Sequence, residues 1–445
     1  MRVAIGVSVL ALSIAAGCAA LADFSRDDPG FALAPGQFEG RFLAVADADM
    51  AGTAYADGQL EPFPGARDQI SLFSGGRPVA SADAPNSVIS WPQIVDVSAD
   101  GRRAYVVETR GAPAEGVTAV DDVYRDIPPG RALNVFEIAG DDLRTVAQVS
   151  DVGLNPQSVE VAPQDRFLVI ATETPGAELV IVPLDVEGLP GEPRRISLTP
   201  PYRPDDSEPR VRNVHLAPDG RTLAANIANR RVQFYRLTPD AEGLPTSVAP
   251  LGEPIDVGVQ LSVGRWTPDG RLFLITDVNA YASTFAMLTQ RGGQVHVLEP
   301  PSEDSPARLL DSARVGRFAE GLELSDDGRT VASIAMERTY LPEWPVLETW
   351  PLRRRYLLSL LSLDPRTGAL TELDRVQVAG VLPEDVIFDS TGRNLAVAVF
   401  HRRKGEDRRR GFIDFFRITD QGELEAQGRT QPLMRGPHDL VRLPD

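Results

Sequence analysis

The residues best suited to chemistry in this sequence are carboxylates and a histidine in its last third. They are Glu320, Glu384, Asp385, His438 and Asp439. Oxygen ligands of this kind suit hard cations, so one prediction is a site for Ca²⁺ or another divalent cation. Arg212 adds a positive charge earlier in the chain. Together, the negative carboxylates and the positive Arg212 predict instead a site for an anionic or sugar-like ligand. The sequence leaves these alternatives open.

Histidine offers a second kind of metal site. His401 and His438 are predicted to lie one repeat apart on the same face, so two histidines and a carboxylate could hold a metal ion. His215 and His296 fall inside predicted strands, where histidine is more often a packing residue.

Several kinds of chemistry are excluded by composition. Cys18 is the only cysteine, so one chain cannot build a disulfide or a thiolate zinc site. Lys404 is the only lysine and lies among arginines, which disfavours Schiff-base chemistry and a P-loop. No cofactor is identified from motifs. The formal net charge of -18 argues against nucleic acid as a partner.

The elements that must position these residues recur along the chain. An alternating strand, a tight turn ending in Arg and an apolar strand repeat, with turn positions 50 to 64 residues apart. The turn residues are Gly40, Gly101, Asp165, Gly220, Gly270, Gly328 and Gly392. Asp-Gly supplies the positive backbone angles that a hairpin turn requires. Two further strands follow in each unit, and four strands at this period are typical of a β-propeller blade.

The two ends of the repeat region complement each other. The first unit, at residues 39–46, is a second strand with no first strand before it, and residues 437–445 are a first strand with no second. We therefore predict an all-β fold of seven four-stranded antiparallel blades. The ring is closed when the C-terminal strand joins the N-terminal blade, which also removes exposed sheet edges.

The repeats resemble the lactonase-type and YVTN-type seven-bladed propellers over residues 38 to 445. The copies that match best are the segment 103–108 (RAYVVE) and the Pro-Asp-Gly or Pro-Gln-Asp turns. The resemblance implies the fold. Some members of these families open sugar lactones and many are binding or scaffold proteins, and no set of residues here matches a lactonase site.

The faces of the disc follow from this fold. The loop before each inner strand and the loop between the second and third strands share one face, and the Asp-Gly turns lie on the other. The residues opening the inner strands are all polar: Gln93, Gln157, Arg212, Ser262, Glu320, Glu384 and His438. We predict that they surround the channel mouth, with Asp385 and Asp439 one position further in. They either form a ligand site or hold ordered water.

Long loops on the same face are candidates for partner binding. Blades 1, 2, 5 and 6 have long loops at residues 47–67, 108–131, 277–292 and 337–354. Trp344 and Trp350 lie in the blade 6 loop near arginines, a composition common in interface hot spots. Arg402 and Arg403 belong to a basic patch that could bind an anionic envelope polymer. A loop folded over its own blade, and a solvated basic loop, are the alternatives.

The N-terminus indicates export. A basic start, an apolar run over residues 3–16 and small residues before Cys18 resemble a bacterial lipoprotein signal. This implies a signal peptide at 1–17, a lipidated tether at 18–37 and the propeller at 38–445. Ala19 after Cys18 favours the outer membrane, facing the periplasm.

The sequence supports two candidate functions. The first is a lipid-anchored scaffold or binding protein of the cell envelope, whose partner is an envelope protein or polysaccharide. The second is a lactonase-like hydrolase, with Glu320, Glu384 or His438 as general base and Arg212 orienting an anion.

Overall fold

Seven antiparallel sheets of four strands form the seven blades of a β-propeller. The computed structural model describes residues 38–62, 65–198, 211–279, 292–337, 339, 355–401, 409–430 and 433–444. The predicted signal peptide and tether lie outside this part, as does Cys18. The fold class and blade number predicted from the repeat are confirmed.

The strands follow the chain order around the ring. Blade 1 contains β1 (Arg41–Ala46), β2 (Gln69–Ser74) and β3 (Arg77–Asp83). Blade 2 contains β4 (Val95–Val97), β5 (Arg103–Val107), β6 (Leu133–Ala139) and β7 (Asp142–Val149). Blade 3 contains β8 (Ser158–Val161), β9 (Phe167–Ala171), β10 (Leu179–Pro183) and β11 (Arg194–Ile196). Blade 4 contains β12 (Val211–Leu216), β13 (Thr222–Ile227), β14 (Arg231–Pro239) and β15 (Pro245–Asp256).

The remaining strands complete the ring. Blade 5 contains β16 (Leu261–Trp266), β17 (Phe273–Asp277), β18 (Gly293–Glu299) and β19 (Arg308–Gly316). Blade 6 contains β20 (Ala319–Leu324), β21 (Thr330–Ala335), β22 (Arg355–Leu363) and β23 (Leu370–Ala379). Blade 7 contains β24 (Val381–Phe388), β25 (Asn394–His401), β26 (Arg410–Ile418) and β27 (Leu424–Arg429), with β28 (Leu433–Met434) paired to β26. The last strand is β29 (Pro437–Arg442).

The C-terminal strand closes the ring as predicted. β29 pairs antiparallel with β1, and Leu43 lies opposite Val441 while Ala44 lies opposite Leu440. β29 therefore serves as the inner strand of blade 1, and the edge of β1 is paired rather than exposed.

The hairpin turns also match the prediction. All seven turn positions have a positive φ, from 52° at Asp165 to 88° at Gly40. Glycine adopts this region without the steric cost of a Cβ atom, which explains why six of the seven positions are glycine. The side of the disc that carries these turns is called the turn side, and the opposite side is the loop side.

The long loops of blades 1 and 2 pair with each other on the loop side. Helix α1 (Ala54–Asp57) belongs to the first loop and α2 (Val123–Asp126) to the second. The Leu60 N–H donates to the Thr118 carbonyl (2.9 Å), and the Val120 N–H donates to the Gly58 carbonyl (2.9 Å). Most of the loops of blades 5 and 6 lies outside the described residues.

The core lies between the blades. Middle strands such as β13, β17 and β25 are buried along nearly their whole length, because each contacts the sheet of a neighbouring blade. The outer strand β3 is half-buried at alternate positions and otherwise exposed. Among the described residues, no helix is long and apolar enough to cross a membrane.

Candidate functional site

The seven polar residues that open the inner strands form what is called here the entrance ring. They are Gln93, Gln157, Arg212, Ser262, Glu320, Glu384 and His438. All seven are buried, and Arg212 is the most exposed at 9%. They lie at the loop-side ends of the inner strands, where they are covered rather than open to solvent.

Two carboxyl groups of the entrance ring pair with each other. Glu320 on β20 and Glu384 on β24 are each 2% exposed, and their side chains are hydrogen-bonded. Burial raises the pKa of Glu320 to about 8, and this hydrogen bond only partly offsets the rise. Burial also raises the pKa of Glu384 well above its usual range, and the neighbouring Glu320 charge raises it further. The pair therefore shares a proton near neutral pH.

Two tyrosines from the paired loops lie close to these carboxyl groups. Tyr55 on α1 and Tyr124 on α2 have ring centroids 6.2 Å apart. Burial raises the pKa of Tyr55, and the Glu384 and Glu320 charges raise it further, which shows that the phenol lies within their range. Tyr124 is 38% exposed as a whole residue, and partial burial of its side chain raises the pKa, while the Arg212 charge lowers it.

Local sequence explains why the tyrosines reach this position. The Asp122 carboxylate accepts the Tyr124 N–H (2.9 Å) and starts α2, which is the usual role of an N-cap aspartate. Gly58 ends α1 with φ 67°, and a Cβ atom there would lie 1.9 Å from the Val120 carbonyl oxygen. Only glycine allows the two loops to approach this closely. Sequence reasoning missed both tyrosines, because nothing in the repeat indicates that these loops meet.

His438 is held as a neutral ring with a defined tautomer. Burial lowers the pKa of His438 to about 3. Its Nε2 lies 2.7 Å from Asn86 Oδ1, and the Asn86 amide nitrogen already donates to the Ala46 and Ala84 carbonyls. His438 Nε2 must therefore carry the hydrogen and donate it, which leaves Nδ1 as an acceptor.

Asp385 and Asp439 connect neighbouring blades. Asp385 Oδ2 accepts the Leu440 N–H (2.9 Å), and Asp439 Oδ2 accepts the N–H groups of Ile94 (2.5 Å) and Val95 (3.0 Å). Their predicted role in ligand binding stays a prediction, and the structure adds a role in holding blades 7, 1 and 2 together.

The two glutamines of the entrance ring are hydrogen-bonded within the protein. Gln93 Oε1 accepts from Asn213 Nδ2 (2.7 Å), and its Nε2 donates to the Val214 carbonyl (3.0 Å), so this side chain of blade 2 reaches blade 4. Gln157 Oε1 accepts a long bond from Arg212 (3.4 Å).

A second charged layer lies further along the channel, toward the turn side. There a cavity of about 300 Å³ is lined by residues that include Asp96, Glu160, Arg265 and Glu323. Asp96 accepts the Val161 N–H (2.6 Å), Glu160 accepts the Leu216 N–H (2.5 Å), and Arg265 donates to Glu323 (2.9 Å). The polar groups of this layer are thus already paired, and their position in the repeat could have revealed them.

An apolar cluster covers the entrance ring, and we call it the cap. Its buried members are Met50, Ala54, Leu60, Val88, Ile89, Val123, Ile127, Val278, Phe318, Met336, Val381, Leu382 and Phe400. These residues come from five adjacent blades, 5, 6, 7, 1 and 2. Tyr55 packs against it and donates to the Val88 carbonyl (2.5 Å).

The structure places the metal-site candidates differently from expectation. Among the described residues, the carboxylate or histidine group with metal-ligand spacing is Asp47, Asp49 and Asp68, whose oxygens lie within 4.8 Å of one another. It includes neither His401 nor His438. His401 is buried beside Gly52, and His438 bonds to Asn86. A metal held by the two histidines stays a prediction.

The residues predicted to bind a partner or carry a lipid fall outside the part of the chain that the structure describes. Trp344, Trp350, Arg402, Arg403 and Cys18 lie outside the described residues.

Comparison with solved structures assigns the fold to a known group. The structure of Pseudomonas aeruginosa periplasmic gluconolactonase superposes with a TM-score of 0.60 at 18% identity, covering 91% of this chain and 100% of that one. The chain has the fold of the lactonase-like propellers. A candidate 6-phosphogluconolactonase from Bacteroides fragilis gives 0.60 at 15% identity, covering 90% and 98%. A Lactobacillus plantarum protein gives 0.57 at 14% identity, covering 92% and 100%.

Sequence comparisons add nothing to this assignment. No protein-family model matches the chain, and no curated protein matches it. At the identities found among the solved structures, the likeness concerns the fold alone.

Proposed function

We propose that the protein is a lactonase-like hydrolase that acts on a small ester or lactone at the entrance ring. The observation that carries the proposal is the buried Glu320–Glu384 pair, which shares one proton beneath the loops of blades 1 and 2. A carboxyl pair with raised pKa values is suited to general acid–base work near neutral pH. The fold of the lactonase-like propellers is compatible with it.

The shared proton defines a balanced hydrolysis. The ionised carboxylate takes a proton from water as the water oxygen bonds to the carbonyl carbon of the substrate. The protonated carboxyl then gives its proton to the leaving oxygen as the bond between carbon and that oxygen breaks. A lactone opens in this way to one hydroxy acid, and the pair finishes with the same number of protons.

Charge develops on the carbonyl oxygen during this reaction. The Tyr124 hydroxyl lies within electrostatic range of the carboxyl pair and of the Arg212 guanidinium. It is the donor that would stabilise the oxyanion, which is usually a large term in acyl transfer, while the Tyr55 hydroxyl is already used on the Val88 carbonyl. Because the cap covers the ring, the loops at 47–67 and 108–131 must move to admit substrate.

A panel of lactones assayed with the wild type and with Glu384→Gln tests the proposal. We expect kcat/KM to fall about a hundredfold or more in the variant, because the general acid–base contribution is lost. Glu425→Gln, the same change on the outer strand β27, should leave kcat/KM unchanged. A wild type without activity on the panel, or equal rates in wild type and Glu384→Gln, would contradict the proposal.

A second candidate is an exported, lipid-anchored binding protein of the cell envelope, facing the periplasm from the outer membrane. The closed cap favours a binding protein over an enzyme, since a binding protein needs no open route from solvent to the channel. The small residues before Cys18 support the anchor.

Fractionation of cells that express the full chain tests the anchor. We expect the wild type in the membrane fraction and labelled by a radioactive fatty acid. Cys18→Ser should lose the label and the membrane association, because the acylated side chain is gone. An unlabelled wild type would reject the anchor.

A further inference from the structure

Six buried atoms at the channel entrance lack a protein donor or acceptor among the described residues. They are Asn213 Oδ1, Ser262 Oγ, Glu320 Oε2, Glu384 Oε1, Asp385 Oδ1 and His438 Nδ1. Each belongs to an entrance-ring residue or to the residue that follows one, and their side chains come from five consecutive blades, 4, 5, 6, 7 and 1. All six residues are at most 2% exposed.

These atoms are mainly hydrogen-bond acceptors. The Asn213 amide nitrogen is used on Gln93, so the oxygen that remains is an acceptor. His438 Nδ1 is an acceptor because its Nε2 donates to Asn86. The three carboxyl oxygens are acceptors too, except where a carboxyl group carries a shared proton. One proton is shared between Glu320 and Glu384 and another between Asp385 and Asp439. Of the six atoms, Ser262 Oγ alone carries a hydrogen of its own.

The carboxylates of the turn-side layer differ from those at the entrance, because they have hydrogen-bond donors within the protein. There the carboxylates of Asp96 and Glu160 accept backbone N–H groups, and Glu323 binds Arg265. Buried polar groups are nearly always hydrogen-bonded. A cluster of unmatched acceptors therefore indicates a ligand that supplies hydrogen-bond donors.

The charged groups at the entrance indicate the charge of this ligand. Three carboxyl groups lie here, while Arg212 bonds to Asn229 (3.2 Å) and Gln157, and Arg265 is bonded to Glu323. Tyr55 and Tyr124 add aromatic rings on the loop side, and such rings attract organic cations.

We propose that the entrance ring binds a primary ammonium group of a small organic ligand. Its three N–H donors would bond to acceptors from separate blades, such as Asn213 Oδ1, His438 Nδ1 and the free carboxyl oxygens, while the Glu320–Glu384 pair keeps its shared proton. The inference names the substrate class of the proposed hydrolase, an ester or lactone that carries an ammonium group, and it rests on that function for catalysis but not for binding.

A metal ion fits the same atoms less well. Within the described part of the chain, carboxylates with metal-ligand spacing occur at Asp47, Asp49 and Asp68, and the entrance carboxyl groups form no such group. The neutral acceptors Asn213 Oδ1 and His438 Nδ1 lie on different blades, which suits the divergent donors of an ammonium group.

Calorimetric titration with a matched pair of probes tests the inference. Cyclopentylammonium and cyclopentanol have the same carbon frame and differ in the ammonium and hydroxyl groups, and neither can be hydrolysed. We expect the ammonium probe to bind the full-length protein at least tenfold more tightly at pH 7. The preference should disappear in Glu320→Gln and weaken in Ser262→Ala, and Glu425→Gln should retain it. Thermal unfolding of each variant confirms that it is folded.

Each outcome decides one question. Equal affinity for both probes, or binding of neither, overturns the inference. Binding of Ca²⁺ that Glu320→Gln abolishes also overturns it, because the ring would then be a metal site. An ammonium preference without lactone hydrolysis rejects the proposed hydrolase alone, and hydrolysis without the preference rejects the inference alone.

Discussion

At the scale of single residues, burial without a nearby counter-charge governs the Glu320–Glu384 pair. Both side chains occupy positions that the repeat predicts to open an inner strand, so their location followed from the sequence. Their pairing did not, because it depends on the distance between blades 6 and 7 and on how deeply the cap buries them. The raised pKa of Glu320, about 8, is a consequence of that burial.

This raised pKa predicts a pH dependence of stability. The folded protein holds the Glu320 proton more tightly than the unfolded chain, whose pKa is near 4.5. The stabilisation is complete below that value and is lost as pH rises to about 8. Glu320→Gln removes this one titration, so its free energy of unfolding should fall less steeply with pH, by up to about 1.4 kcal/mol per pH unit. Urea unfolding at pH 5 to 8 measures the difference, and parallel curves for wild type and variant would contradict it.

At the scale of elements, one strand pairing decides whether the blades form a ring. Sequence complementarity of the two ends predicted that β29 joins β1, and the register of Leu43 with Val441 confirms it. The turns were equally predictable, since each needs a residue that tolerates positive φ. The paired loops that carry Tyr55 and Tyr124 were not, because loop-to-loop hydrogen bonds leave no periodic pattern.

Ring closure makes Leu440 a core residue although it lies near the end of the chain. Leu440 is 3% exposed and packs in one cluster with Phe42 and Phe415. Leu440→Ala should therefore lower the free energy of unfolding by about 2–5 kcal/mol, the usual range for a buried leucine. Leu373→Ala on the outer strand β23, where the side chain is 45% exposed, should cost less than about 1 kcal/mol. Chemical denaturation compares them, and equal costs would argue that β29 does not complete the ring in solution.

At the scale of the whole molecule, the two sides of the disc differ in how their polar groups are satisfied. On the turn side, inner-strand carboxylates accept N–H groups of the next blade, as Asp96 does from Val161, and this connects the blades. On the loop side, Glu384 Oε1 and Asn213 Oδ1 have no donor among the residues that the structure describes, and they lie beneath the apolar cap. The loop side is therefore where we place the proposed chemistry, while hydrogen bonds between blades occur on the turn side and also at Asp385 and Asp439.

The sequence by itself determined the blade, its turns, the number of repeats and the polar residues that open the inner strands. These are local or periodic properties, which a single chain displays through strand alternation and turn residues. Tertiary structure decided which polar residues share a proton, which connect neighbouring blades, and that an apolar cap covers them. Those outcomes depend on distances between blades and on contacts between loops far apart in the chain, and only the closed ring defines them.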